Sequence, residues 1–191
     1  MPADISSSGM PSSMRAALQN APPVTFGRFN GPRTTITEMV RALNGPRGER
    51  SVLVRSFTES VVRGLQPKDY LSEILAIRYA VSDKTRYLND PATTEWVKDP
   101  ERIVEEINAT GTALIDCDEY ALLIATMLRQ VGRQARYVTV GFGLGGAHTH
   151  VFAEGQEPKT GIWICCDPVA GTEEAKMLGR VTSYKIWSTD A

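Results

Sequence analysis

Apolar positions recur at helical spacing through the first two thirds of the chain and at strand spacing afterwards, so helices should precede a sheet. Ile36, Met39, Val40 and Leu43 form one helical stripe, Thr35 and Glu38 have capping-box spacing at its start, and Asn44-Gly45-Pro46 ends it. A second helix is predicted over about Glu49 to Gly64, with Leu53, Val54, Phe57 and Val61 facing inward. Pro67 opens a third, whose stripe is Tyr70, Ile74, Ile77 and Val81. Asp99-Pro100 reads as N-cap and first residue of a short helix carrying Ile103, Val104 and Ile107.

The segment from Asp116 to Val131 differs from these. Asp116 and Glu119 repeat the capping-box spacing and start a helix at Cys117. Ala121, Leu122, Leu123, Ile124, Ala125, Met127 and Leu128 then make it apolar on nearly every side, as in a helix buried all round, and Gly132 stops it. Beyond Gly132 the period becomes that of strands: Ala135 to Gly141, His148 to Glu154 and Ile162 to Asp167. Gly141, Gly143, Gly145 and Gly146 form a loop, and a turn containing Gly155, Pro158 and Gly161 joins the last two strands. The fold class is therefore α+β, with helices first and a small antiparallel sheet packed on a central buried helix that carries Cys117 at its N-terminus.

Residues 1–33 resist this reading. Ser6-Ser7-Ser8-Gly9, Pro11-Ser12-Ser13 and Pro22-Pro23 are breaker clusters with little apolar content, expected to form a flexible arm, with residues 34–191 as the domain. A partner that orders the arm is the functional alternative.

Composition narrows the class. Of 191 residues, 42% are hydrophobic and 23% charged, as in an ordinary globular domain, and the formal net charge of −1 gives no reason to expect nucleic acid. From Arg28 to Arg63 there are seven arginines against three glutamates, but the only aromatics among them are Phe29 and the inward-facing Phe57, so a solvated helix surface is the reading. No apolar run is long enough for a membrane span, and the N-terminus has no secretory apolar segment, so synthesis in a cytoplasm is expected. The three cysteines, two of them adjacent, form no disulfide framework and are expected as free thiols.

Cysteine then becomes the candidate nucleophile. A thiol must be largely thiolate to attack, and a free cysteine, with a pKa of about 8.5, is not; a helix N-terminus and an imidazolium partner both correct this. Cys117 has the helix terminus, opposed by the adjacent Asp116 and Asp118. The only histidines are His148 and His150, which strand alternation places on one face with Phe152 and Glu154. A hairpin centred near Pro158 pairs residues whose numbers sum to about 316 or 317. His150 then lies opposite Cys166 or Asp167, and a carboxylate there can accept the second imidazole N–H.

Asp116 to Leu123, followed by Leu128 to Val138, resembles the nucleophile block of the transglutaminase-like superfamily: Asp-Cys-acidic, a buried helix, a glycine, then a strand with Ala-Arg. His150-Val151-Phe152-Ala153-Glu154 resembles its second block, and Trp163 with Asp167-Pro168 its third, in the family's order of Cys, His and Asp. The likeness runs from about Tyr70 to Gly171. Tyr87-Leu88-Asn89-Asp90-Pro91, with Glu95, Val97 and Pro100, resembles most a subgroup encoded in tailed bacteriophages and prophages. The chain departs from the family at Ile115, where glycine is usual, and at Phe152, where tryptophan is common.

The resemblance implies a papain/transglutaminase-like fold and a Cys117-His150-Asp167 triad acting on an amide or acyl bond through a thioester. It favours His150 over His148. It implies no cofactor or metal, hydrolysis first, and protein cross-linking by transamidation as the alternative. The substrate would be a peptide or protein, peptidoglycan or a virion protein among them. A structural or assembly protein of a phage that keeps the fold, docks through its N-terminal arm and enters the virion is a further reading. A metal site built on His148 and His150 with Cys165 and Asp167 is the remaining rival. The backbone N–H of Cys117 is one oxyanion donor; the sequence assigns no second.

Overall fold

Each helix begins where a side chain or a proline resolves the unpaired N–H groups of a first turn. The computed structural model describes residues 25–26, 31–90, 95–142, 147–168 and 181–190. Helix α1 (Pro32–Asn44) starts with proline in its first turn after Gly31, whose φ of 91° places it in the left-handed region. It therefore starts before the Thr35–Glu38 spacing that predicts its N-terminus. Its stripe is as expected: Ile36, Met39 and Leu43 are buried. Ser51 caps α2 (Val52–Val62), where Val54 and Thr58 are buried and Leu53, Phe57 and Val61 are partly so. Asp69, two residues past Pro67, caps α3 (Tyr70–Lys84), burying Ile74, Ile77 and Val81. Asp99 and Pro100 open α4 (Pro100–Thr110) as the sequence predicts, and Gly111 closes it at φ 83°.

Helix α5 (Cys117–Gln130) is the centre. Every residue from Asp118 to Leu128 is buried. Helices α1, α2, α3 and α4 pack around it on one side. The other side is taken by the sheet, built from β5 (Ala135–Phe142), β6 (His148–Gln156), β7 (Trp163–Cys165) and β8 (Val181–Ser188). Its order is β7-β6-β5-β8, antiparallel throughout. Two small pairs complete the described residues: β1 (Thr25–Phe26) with β3 (Glu95–Trp96), antiparallel, and β2 (Thr85–Tyr87) with β4 (Ala113–Ile115), parallel. The architecture is α+β, as the change of period predicts.

Of the segment expected as an arm, only Thr25–Phe26 and residues 31–33 are described; the loop glycines Gly143, Gly145 and Gly146 also lie outside the described residues. No helix among the described residues is long and apolar enough to cross a membrane.

Gly155 is not a turn residue. It lies inside β6, opposite Ala135, where an added Cβ would stand 3.1 Å and 3.2 Å from the Leu128 methyls and 3.4 Å from Ile74. The sheet sits this close to α5 because glycine leaves the space. Gly155→Val is therefore expected to destabilise the protein by about 2 kcal/mol through overpacking, read as a lower urea midpoint with an unchanged slope.

Candidate active site

The capping residues of α5 set the first side chain of the site. Asp116 is the N-cap, and the Glu119 carboxylate reaches back to accept its backbone N–H at 3.2 Å. The other Glu119 oxygen accepts the N–H of Lys98 at 2.9 Å, and the Lys98 ammonium lies 3.5 Å from Glu106. Burial pushes the Glu119 carboxyl up to about 8, against the pull of Lys98. These contacts hold the first turn, and Cys117 with it, half-buried at the helix N-terminus.

The acidic neighbours oppose the thiolate less than the sequence alone implies. Asp118 is 1% exposed, and burial first, then the neighbouring Asp116, raises its carboxyl well above the ordinary range. The shift favours the protonated carboxyl and so weakens the negative charge beside the sulfur.

His150 comes from β6, and its Nε2 donates to Asp167 Oδ2 at 2.6 Å. The Cys117 thiol lies beside the ring and favours its charged form. With Nε2 committed to the carboxylate, Nδ1 is the nitrogen left for the thiol. Burial alone would lower the imidazole's pKa, but the hydrogen bond to Asp167 and the negative charges of Asp167 and Cys117 outweigh it and carry it up to about 10. The ring is therefore charged at neutral pH.

The sign of the resulting pH dependence is fixed. The folded-state pKa lies above the ordinary 6.5, so the contribution to stability is complete below about 6.5 and is lost as pH rises towards about 10. His150→Gln should abolish that dependence. The stability difference between wild type and this variant is expected to shrink over that window, measured by urea unfolding at several pH values.

Asp167 reaches His150 by a route other than the predicted one. The pairs Glu154↔Cys165, Gly155↔Ile164 and Gln156↔Trp163 define a register two to three residues away from a hairpin centred at Pro158. The turn lies between Glu157 and Ile162, where the Glu157 N–H donates to the Ile162 carbonyl at 2.9 Å and the Glu157 carboxylate accepts the Thr160 N–H at 2.7 Å, so β6 runs on to Gln156. Cys166 N–H keeps this register by donating to the Ala153 carbonyl at 2.9 Å. Asp167 then stands diagonal to His150 instead of opposite, past the end of β7, and is 2% exposed. Arg78 of α3 donates to the Asp167 backbone carbonyl at 3.1 Å, a contact no sequence pattern announced.

His148 and His150 do not share a face. The β5–β6 register shifts between Val140 and Gly141, so that His150 pairs with Val140 but His148 pairs with Gly141. Thr149 is the extra residue of this bulge, and it turns His148 to the side of Thr139, whose hydroxyl meets His148 Nδ1 at 2.7 Å. The paired imidazoles needed by a metal site are thus separated. Among the described residues no three His, Cys, Asp or Glu side chains are grouped to hold a metal ion. Cys165 pairs with Glu154, away from His150, and Cys166 is fully buried. The arginine of the Ala-Arg pair, Arg136, donates to Glu154 at 2.6 Å and lies 4.0 Å over the Trp163 ring.

The chain matches a profile of the transglutaminase-like superfamily over residues 55–168, which span Cys117, His150 and Asp167. It belongs to that superfamily. No curated protein matches the chain. Two solved structures resemble it: a candidate protease from Parabacteroides distasonis and a candidate cysteine protease from Cytophaga hutchinsonii. The first is 14% identical with a TM-score of 0.45, over 67% of this chain and 25% of that one. The second is 16% identical with a TM-score of 0.48, over 86% of this chain and 57% of that one. The superfamily chain described here thus spans less than two thirds of either.

Proposed function

We propose that this superfamily member is a cysteine-dependent enzyme that cleaves an amide or acyl bond of a peptide or protein through a thioester on Cys117. The observation that supports it most is the convergence of three elements: Cys117 at the N-terminus of α5, His150 from β6, and Asp167 after β7. The thiolate attacks the carbonyl carbon, forming the S–C bond while the π pair moves to oxygen. On collapse, His150 Nδ1 gives its proton to the leaving amine, and the C–N bond breaks. Water, deprotonated by His150, then attacks the thioester, and the thiol leaves with that proton. Asp167 accepts from Nε2 throughout and keeps the ring oriented.

Hydrolysis is the reading we favour, and transamidation differs only in an amine replacing the water. The resemblance of Tyr87 to Pro91 to phage-encoded members extends the proposal to peptidoglycan stem peptides or a virion protein as substrate.

The test uses p-nitrophenyl acetate. A burst of p-nitrophenolate equal to the enzyme concentration is expected, with one acetyl group on the peptide that holds Cys117 after acid quench. Acetylation spread evenly over Cys117, Cys165 and Cys166 would contradict the reading. Adding a fluorescent primary amine partitions the acyl-enzyme, and release of acetate in preference to the acetylated amine supports hydrolysis.

A further inference from the structure

We propose that the Tyr87 phenol is a catalytic residue of this site, the second oxyanion donor beside the backbone N–H of Cys117; this rests on the acyl-transfer reading above. Strand β2 delivers it. Tyr87 stands opposite Ile115 in the parallel β2–β4 pair, and the ladder continues one step further, where Leu88 N–H donates to the Ile115 carbonyl at 3.0 Å. Ile115 is two residues from Cys117, so the ring arrives against the first turn of α5. There it stacks on Tyr120, with ring centroids 6.4 Å apart and planes inclined by 12°. Tyr120 is 6% exposed and forms a fixed wall. The Tyr87 hydroxyl lies beside the Cys117 thiol.

His150 and Tyr87 both lie beside the sulfur. His150 is the proton carrier. Tyr87 is a neutral donor, and it remains one: burial first, then the negative charges of Cys117 and Asp116, push its phenol well above the ordinary value. Tyr87 is also 43% exposed, so an acyl group can approach from solvent along the ring.

The chemistry needs a donor at this place. When the S–C bond forms, negative charge leaves the sulfur and appears on an oxygen attached to the same carbon. A donor already beside the sulfur needs only a small rotation to follow the charge. The Cys117 N–H lies in the first turn of α5, where helical N–H groups have no intrahelical acceptor. Two donors then converge on the developing oxyanion, one from the backbone and one from Tyr87. Because the phenol donates to the oxygen as charge develops there, it favours the transition state over the ground state.

Two probes of Cys117 separate this role from any other. Iodoacetamide alkylates by displacing iodide at a methylene carbon and creates no oxyanion. The ester p-nitrophenyl acetate acylates through a tetrahedral oxyanion. Tyr87→Phe is expected to slow the acylation burst by at least about tenfold and to leave the alkylation rate within about threefold. The alkylation rate also reports that the site is still assembled in the variant. Equal changes with both probes would overturn the role, as would an acylation rate that Tyr87→Phe leaves unaltered. Wild-type protein that is alkylated at Cys117 but never acylated would overturn the acyl-transfer reading and this one with it. An effect absent from the variant while wild type is acylated overturns Tyr87 alone.

Discussion

His150→Gln is expected to reduce acylation of Cys117 by p-nitrophenyl acetate at least about a hundredfold at pH 7, whereas His148→Ala should change it less than about threefold. Glutamine is the informative replacement because its amide can still donate to the buried Asp167 carboxylate. What it cannot do is carry a proton between sulfur and leaving group. His148 touches Thr139 on the other side of the bulge and has no such task. Burst kinetics by stopped flow measure both variants. Equal losses would return both imidazoles to a shared function and contradict the separation of their faces.

The second large effect is on stability. Leu123 is fully buried in α5, the helix on which four others and the sheet converge. Leu123→Ala should cost about 3 kcal/mol, the transfer of the lost methyl groups plus a cavity that this crowded site cannot close. For a chain of this length the thermal midpoint should fall by roughly 6–12 °C, measured by calorimetry. A fall of only about 1 °C would mean that the helix relaxes into the space, and that its burial is looser than the structure shows.

The helix starts at Asp99 and Asp116 were legible because an N-cap acts within one turn, and its signal lies wholly in adjacent residues. The buried character of α5 was legible for the same reason, from an apolar run with no polar face. What depends on distant partners was not. Gly155 reads as a turn residue until Leu128 and Ile74 are seen against it, and a hairpin centred at Pro158 misses the β6–β7 register by two to three positions. The bulge at Thr149 leaves the alternation of His148 and His150 intact on paper while turning one of them over.

Strand β8 went unassigned because it is an edge strand of mixed polarity, with Tyr184 and Ile186 exposed. Tyr87 was seen only as part of a family-like stretch. Its place beside Cys117 follows from a parallel pairing across the whole of α4, which no local pattern announces. The choice of Cys117, His150 and Asp167 needed less. Two histidines, one cysteine at a helix start and an ordered resemblance left few combinations, and an error in register did not change the residues selected.

The central claim is that Cys117 is an activated nucleophile, and competitive alkylation of the native protein tests it most directly. The three cysteines differ in setting: Cys117 is half-buried at a helix N-terminus beside a charged imidazole, Cys165 is half-buried in β7, and Cys166 is fully buried. With limiting iodoacetamide at pH 7 and peptide mass spectrometry, Cys117 is expected to react at least about tenfold faster than Cys165. Cys166 should react only on unfolding, and His150→Gln should erase most of the Cys117 advantage. Cys117 reacting no faster than Cys165 in the folded wild-type protein would contradict the account.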